Sequence, residues 1–87
     1  MSKIPLDIQK LANSRDFQPS VRIGKSGITD SLVQEIDEQL SRKELVKIKI
    51  NRGLFQRDQI KHVWQHLSTE TNSNIVISRG NVCVLWR

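Results

Sequence analysis

The run Gly24-Lys25-Ser26-Gly27 is the part of this chain best suited to chemistry. Glycines without Cβ atoms let another backbone come close. The run follows the short apolar triplet Val21-Arg22-Ile23 and precedes Thr29, which can cap a helix. Free N–H groups at a helix start attract phosphate oxygens. Lys25 adds a cation and Ser26 a hydroxyl. The chemistry on offer is a non-covalent grip on phosphate, although Asp30 competes for the same helix dipole and four such residues also suffice for a plain tight turn. The run is no nucleotide-hydrolysing P-loop, because Pro19 stands where that motif needs its first glycine.

Other reactive side chains read as structural. His62 and His66 have the spacing of a helical metal pair, but Val63 occupies the place of the glutamate in a His-Glu-x-x-His site. Both lie opposite the stripe formed by Ile60, Trp64 and Leu67 and are expected to face water. Cys83 is the only cysteine. It alternates with Val82 and Val84, so it is read as a small packed residue on the other face of its strand. Asp37 and Glu38 read as solubilising charges. Trp64 belongs to a core stripe. Phe55 and Trp86 can serve as anchors or as platforms for a base. No nucleophile–base pair and no metal cluster stands out, so neither catalysis, metal nor cofactor is expected.

Charge favours a polyanionic partner. The 87 residues carry a net charge of +5, with 37% hydrophobic and 26% charged residues, a balance that suits a folded domain. Residues 1–43 hold seven Lys/Arg against six Asp/Glu, and residues 44–87 hold seven against three. No apolar run approaches the roughly 20 residues of a membrane span. The opening Met1-Ser2-Lys3-Ile4-Pro5 lacks the apolar stretch of a secretory signal. One cytoplasmic domain over residues 1–87 is expected.

The periodicities supply the elements that position these groups. A first helix is expected over Leu6–Ser14, with Pro5 at a first helical position and Ile8, Leu11 and Ala12 on one face. Val21–Ile23 is a strand. Thr29 caps a second helix to Lys43, with Leu32, Val33, Ile36 and Leu40 inward. Glu44–Asn51 is the clearest strand, because Val46, Ile48 and Ile50 alternate with Lys47 and Lys49. Arg52–Phe55 is a loop, and a third helix runs from about Gln56 or Arg57 to Ser68. Ile75–Ile77 and Val82–Trp86 form a hairpin about the turn Ser78-Arg79-Gly80-Asn81. The order α-β-α-β-α-β-β predicts an α/β domain whose first three strands run parallel, joined by right-handed crossovers, with an antiparallel last pair.

The loop repeats the physical recipe by which the GXXG loop of KH domains clamps a nucleotide backbone. A closer resemblance covers most of the chain. Val21-Arg22-Ile23-Gly24-Lys25-Ser26-Gly27-Ile28-Thr29, then Val33-Gln34-Glu35-Ile36, then Glu44-Leu45-Val46-Lys47-Ile48-Lys49-Ile50 and the closing Val84-Leu85-Trp86-Arg87 resemble the CRM domain, or CRS1–YhbY, family. Ile28 and Trp86 stand where the family usually has Leu and Tyr, and Ser78–Asn81 departs from its usual small apolar-Gly pattern.

The resemblance implies a four-stranded mixed sheet with three helices, similar to the C-terminal domain of bacterial translation initiation factor three. It implies RNA as the partner, ribosomal RNA or a pre-ribosomal large subunit above all, with ribosomal protein contacts possible and a monomer expected. The gripping loop falls on Gly24, Lys25, Ser26 and Gly27, and the basic surface on Arg22, Lys47, Lys49 and Arg52. Two other readings stand beside it: a protein-binding adaptor on a ribonucleoprotein particle that uses the acidic face of the second helix or a sheet edge, and a DNA-coating chromatin-type protein.

Overall fold

The computed structural model describes residues 4–87; Met1, Ser2 and Lys3, on which part of the N-terminal reading rests, lie outside the described residues. The elements are α1 (Leu6–Ala12), β1 (Val21–Ile23), α2 (Asp30–Lys43), β2 (Leu45–Ile50), α3 (Arg57–Glu70), β3 (Asn74–Arg79) and β4 (Val82–Trp86). They form a small α/β domain with three helices and one four-stranded mixed sheet of order β1-β2-β4-β3. β1 pairs parallel with β2, and β4 pairs antiparallel with both β2 and β3. The first three strands therefore share a direction, but β4 is inserted between β2 and β3. No helix among the described residues is long and apolar enough to cross a membrane.

The main core lies between one sheet face and α2 and α3. Ile36 and Leu40 of α2 and Ile60, Val63, Trp64 and Leu67 of α3 pack on Val21, Ile23, Val46, Ile48 and Ile50. Cys83 and Leu85 of β4 complete it. Such side chains each contribute roughly 1.5–3 kcal/mol on burial, which is what holds a sheet this small. The short α1 lies on the other face, where its end meets Lys47, Ile77, Val82 and Val84.

Local chemistry shifts several boundaries. α1 stops at Ala12 because Asn13 closes it, with its backbone N–H and its side-chain Nδ2 both donating to the Gln9 carbonyl. Pro5 is the N-cap rather than a helical residue, and its carbonyl accepts the first intrahelical bond from Gln9 at 3.1 Å. Leu11 is exposed, so the inward stripe of α1 is Ile8 and Ala12 alone. α3 runs two residues past Ser68 because Thr71 is buried, its Oγ1 donates to the Leu67 carbonyl at 2.6 Å, and Asn72 turns the chain at φ +52°. Ser78 and Arg79 are strand rather than turn. The two-residue loop Gly80-Asn81, with Gly80 at φ +52°, is enough to reverse the chain.

Candidate nucleic-acid interface

The Gly-Lys-Ser-Gly run forms a single turn, closed by the Gly27 N–H donating to the Gly24 carbonyl at 2.9 Å. Lys25 and Ser26 occupy its two central positions and are exposed. Gly27 takes φ +68°, a conformation a side chain resists. Gly24 does not: a Cβ there would meet only Asn51 Nδ2, at an ordinary 3.6 Å. The fold thus requires Gly27, whereas Gly24 is dispensable to it.

Buried residues pin the turn on both sides. Ile23 is buried and Ile28 packs against the core. The Thr29 side chain then accepts the Leu32 N–H at 3.1 Å and starts α2 as expected. The Asn51 N–H donates to the Ile23 carbonyl at 2.9 Å, which brings exposed Arg52 to the same end of the sheet. Phe55 is half-buried against the core, so it anchors this neighbouring loop.

Register decides the rest of the surface. Arg22 pairs with Lys49, Lys49 with Val82, and Val82 with Arg79. These four residues form one row across all four strands, on the face turned away from α2 and α3. At about 4.8 Å per strand, Arg22 and Arg79 lie about 14 Å apart. All three cations are exposed, and the row borders the loop end. Among the described residues the one ion pair is Arg87 with Asp37, so no cation of the row is ion-paired. Like charges directly opposite each other repel.

Lys47 has a different place. It lies on the same face but is half-buried, with its Nζ donating to the Phe17 carbonyl at 2.8 Å and lying 5.8 Å from the Phe17 ring centre. It ties the segment between α1 and β1 to the sheet. Trp86 is half-buried on this face, at the far end from the loops.

The remaining candidates are dispersed. His62 and His66 are both exposed on α3. Cys83 is buried in the core, and burial pushes its thiol up to about 12, far from a nucleophilic thiolate at neutral pH. Asp37 binds Arg87, whose guanidinium also donates to the Thr71 carbonyl and to Ser41 Oγ at 2.9 and 2.7 Å. Sequence reasoning did not single out Arg79, whose place in the row rests on cross-strand register. It also missed buried Gln39, whose Oε1 accepts from Ser20 Oγ–H and ties the start of β1 to α2.

A model of the CRS1 / YhbY (CRM) domain matches residues 8–87. The chain belongs to this family. One relative is a probable RNA-binding protein of Methanocaldococcus jannaschii, 25% identical over 76 residues, covering 87% of this chain and 56% of that one. Another, of Pseudomonas aeruginosa, is 26% identical over 71 residues, covering 82% and 66%; a third, of Bacillus subtilis, is 28% identical over 76 residues, covering 87% and 77%. All three are named probable RNA-binding proteins. The chain spans a little over half of the first relative's length and about two thirds of the second's. The solution structure of a hypothetical protein from Staphylococcus aureus superposes with a TM-score of 0.68 at 32% identity, covering 83% of this chain and 73% of that one. The CRM assignment and the α/β fold expected from the sequence both stand.

Proposed function

We propose that this CRM domain is a binding module for RNA, gripping the backbone with the Gly24–Gly27 turn and with the cations Arg22, Lys25, Lys49 and Arg52. The observation that carries this reading is the unneutralised Arg22–Lys49 pair, set in register beside a turn whose Gly24 the fold does not need. Exposed like charges forced together cost free energy until an anion screens them, and a polyanion does so repeatedly. A glycine the fold can spare leaves room for a ligand's backbone. Ser26 adds a hydroxyl at the tip, and Lys47 positions the segment beside the surface.

The partner favoured by the family is ribosomal RNA on a large-subunit precursor, in the cytoplasm, with the domain acting as a monomer without catalysis. The test is titration of a fluorescent large-subunit rRNA fragment with the native chain and with a Lys25→Asp, Ser26→Asp double variant, at two salt concentrations. Native affinity should fall steeply with salt, and the variant, folded by circular dichroism, should lose most of it. Equal binding by both proteins would reduce the loop to a turn.

One observation favours a second reading, a protein-binding adaptor. A groove of about 430 Å³ between α2 and α3 is lined by Asp30, Asp37, His66 and Glu70, and reaches Ile28 and Thr29 just after the loop. A protein partner that stays bound after nuclease treatment would support it, and both readings can hold on one particle.

A further inference from the structure

Beside the cation row lies a cavity of about 260 Å³, between the end of α1 and the β3–β4 hairpin. Its floor is apolar: Ala12 from α1, Ile77 from β3, and Val82 and Val84 from β4. Its rim is polar, formed by Asn13, Ser14, the stem of Lys47 and Arg79. Val82 and Ile77 are only half-buried, so apolar surface is left open to solvent next to charges that attract phosphate.

We infer that this cavity is a nucleobase pocket, which receives one unstacked base from an RNA strand whose backbone follows the Arg22–Lys49–Arg79 row. The inference rests on the RNA reading above and adds to it a base subsite. Size limits the occupant: pockets for drug-sized ligands run to about 300–1,000 Å³, so this one suits a single small ring system. Position fits as well, because Val82 of the floor is the cross-strand neighbour of both Lys49 and Arg79. A phosphate held at the row therefore has its base within reach of the floor.

The rim chemistry suits a base edge. The Asn13 Nδ2 is occupied by the Gln9 carbonyl at 2.9 Å, which leaves its Oδ1 to accept. The Ser14 Oγ accepts the Asp16 N–H at 3.3 Å and keeps its own proton to donate. An acceptor and a donor on successive residues match the alternating pattern that bases present on their edges. The Arg79 guanidinium is a flat cation on which a base can stack.

The test uses isotope-labelled full chain in amide-resolved NMR titrations. The probes are the four ribonucleoside monophosphates and, as a base-free control, ribose 5-phosphate. The monophosphates should shift the amides of Ala12, Asn13, Ser14, Ile77 and Val84, while the control should move only amides near Arg79 and Lys49, Val82 among them. Val82→Leu, which fills the floor without adding an aromatic face, should weaken the affinity read from the base-dependent shifts by about tenfold. Asn13→Ala is the milder companion; it leaves the floor intact and should lower affinity for some bases more than others. Equal pocket shifts with ribose 5-phosphate, or none with any monophosphate, would overturn the assignment. The rRNA titration run alongside separates the two claims: salt-dependent RNA binding without pocket shifts sinks the base subsite alone, and no RNA binding sinks both.

Discussion

At the residue scale, the fold makes different demands on the two glycines of the loop. Gly27 holds a positive φ, so Gly27→Ala should cost about 1–2 kcal/mol in denaturant unfolding. Gly24 has neither a positive φ nor a crowded Cβ position, so Gly24→Ala should change stability by no more than about 0.5 kcal/mol. If a phosphate backbone approaches there, Gly24→Ala should nevertheless weaken RNA binding; unaltered affinity would show that nothing comes close at that point. Cys83 gives a second residue-level expectation. Its thiol is raised from 9.0 in the open chain to about 12 in the fold. Above pH 9 the unfolded chain loses this proton before the folded one does. Stability should therefore fall between about pH 9 and 12, by up to about 1.4 kcal/mol per pH unit. In the native state the thiol should resist alkylation, and rapid labelling at neutral pH without denaturant would contradict its burial.

At the scale of elements, one contact ties the helices to the chain after β4, at the end opposite the loop, and another caps α2 at the loop itself. Arg87 joins β4 to both helices through Asp37, Ser41 and the Thr71 carbonyl. Arg87→Ala should cost about 1–2 kcal/mol, reduced from the value of a buried charged network because its side chain is 28% exposed. Calorimetry should show a lower Tm with RNA affinity intact, since this clamp lies away from the loop. Thr29→Ala removes the cap of α2 and should cost about 1 kcal/mol. Because the cap directly follows the Gly24–Gly27 turn, a drop in RNA affinity beyond the stability loss would mark the cap as part of the positioning of Lys25 and Ser26.

At the scale of the whole molecule, charge is sorted by face. The cation row lies on the sheet face turned away from α2 and α3, whereas the groove lined by Asp30, Asp37 and Glu70 lies between those helices and reaches Ile28 and Thr29 just after the loop. A polyanion should therefore dock in one orientation. Replacing Arg22 and Lys49 by Gln should relieve repulsion, leaving stability unchanged or slightly raised. The slope of log affinity against log salt should shrink by about 0.7–0.9 for each phosphate that is no longer neutralised. An unaltered slope in the double variant would place the phosphates elsewhere.

Much of this could be read from the sequence, because the signals are local. Period-two alternation in Val46–Ile50 marked a strand with one apolar face, Thr29 marked a helix start, and the pattern from Val21 to Arg87 pointed to the family. Long-range pairing had no such signal. Nothing in the linear chain says that β4 enters between β2 and β3, since strand order is chosen by packing across the whole sheet. That choice places Arg79 in the row with Arg22 and Lys49, fifty-seven positions from Arg22 along the chain. It also opens the Val82 floor beside them. Residue types and periods determined the parts and their chemistry; the tertiary structure decided which cations share a face, because register depends on contacts between residues far apart in sequence.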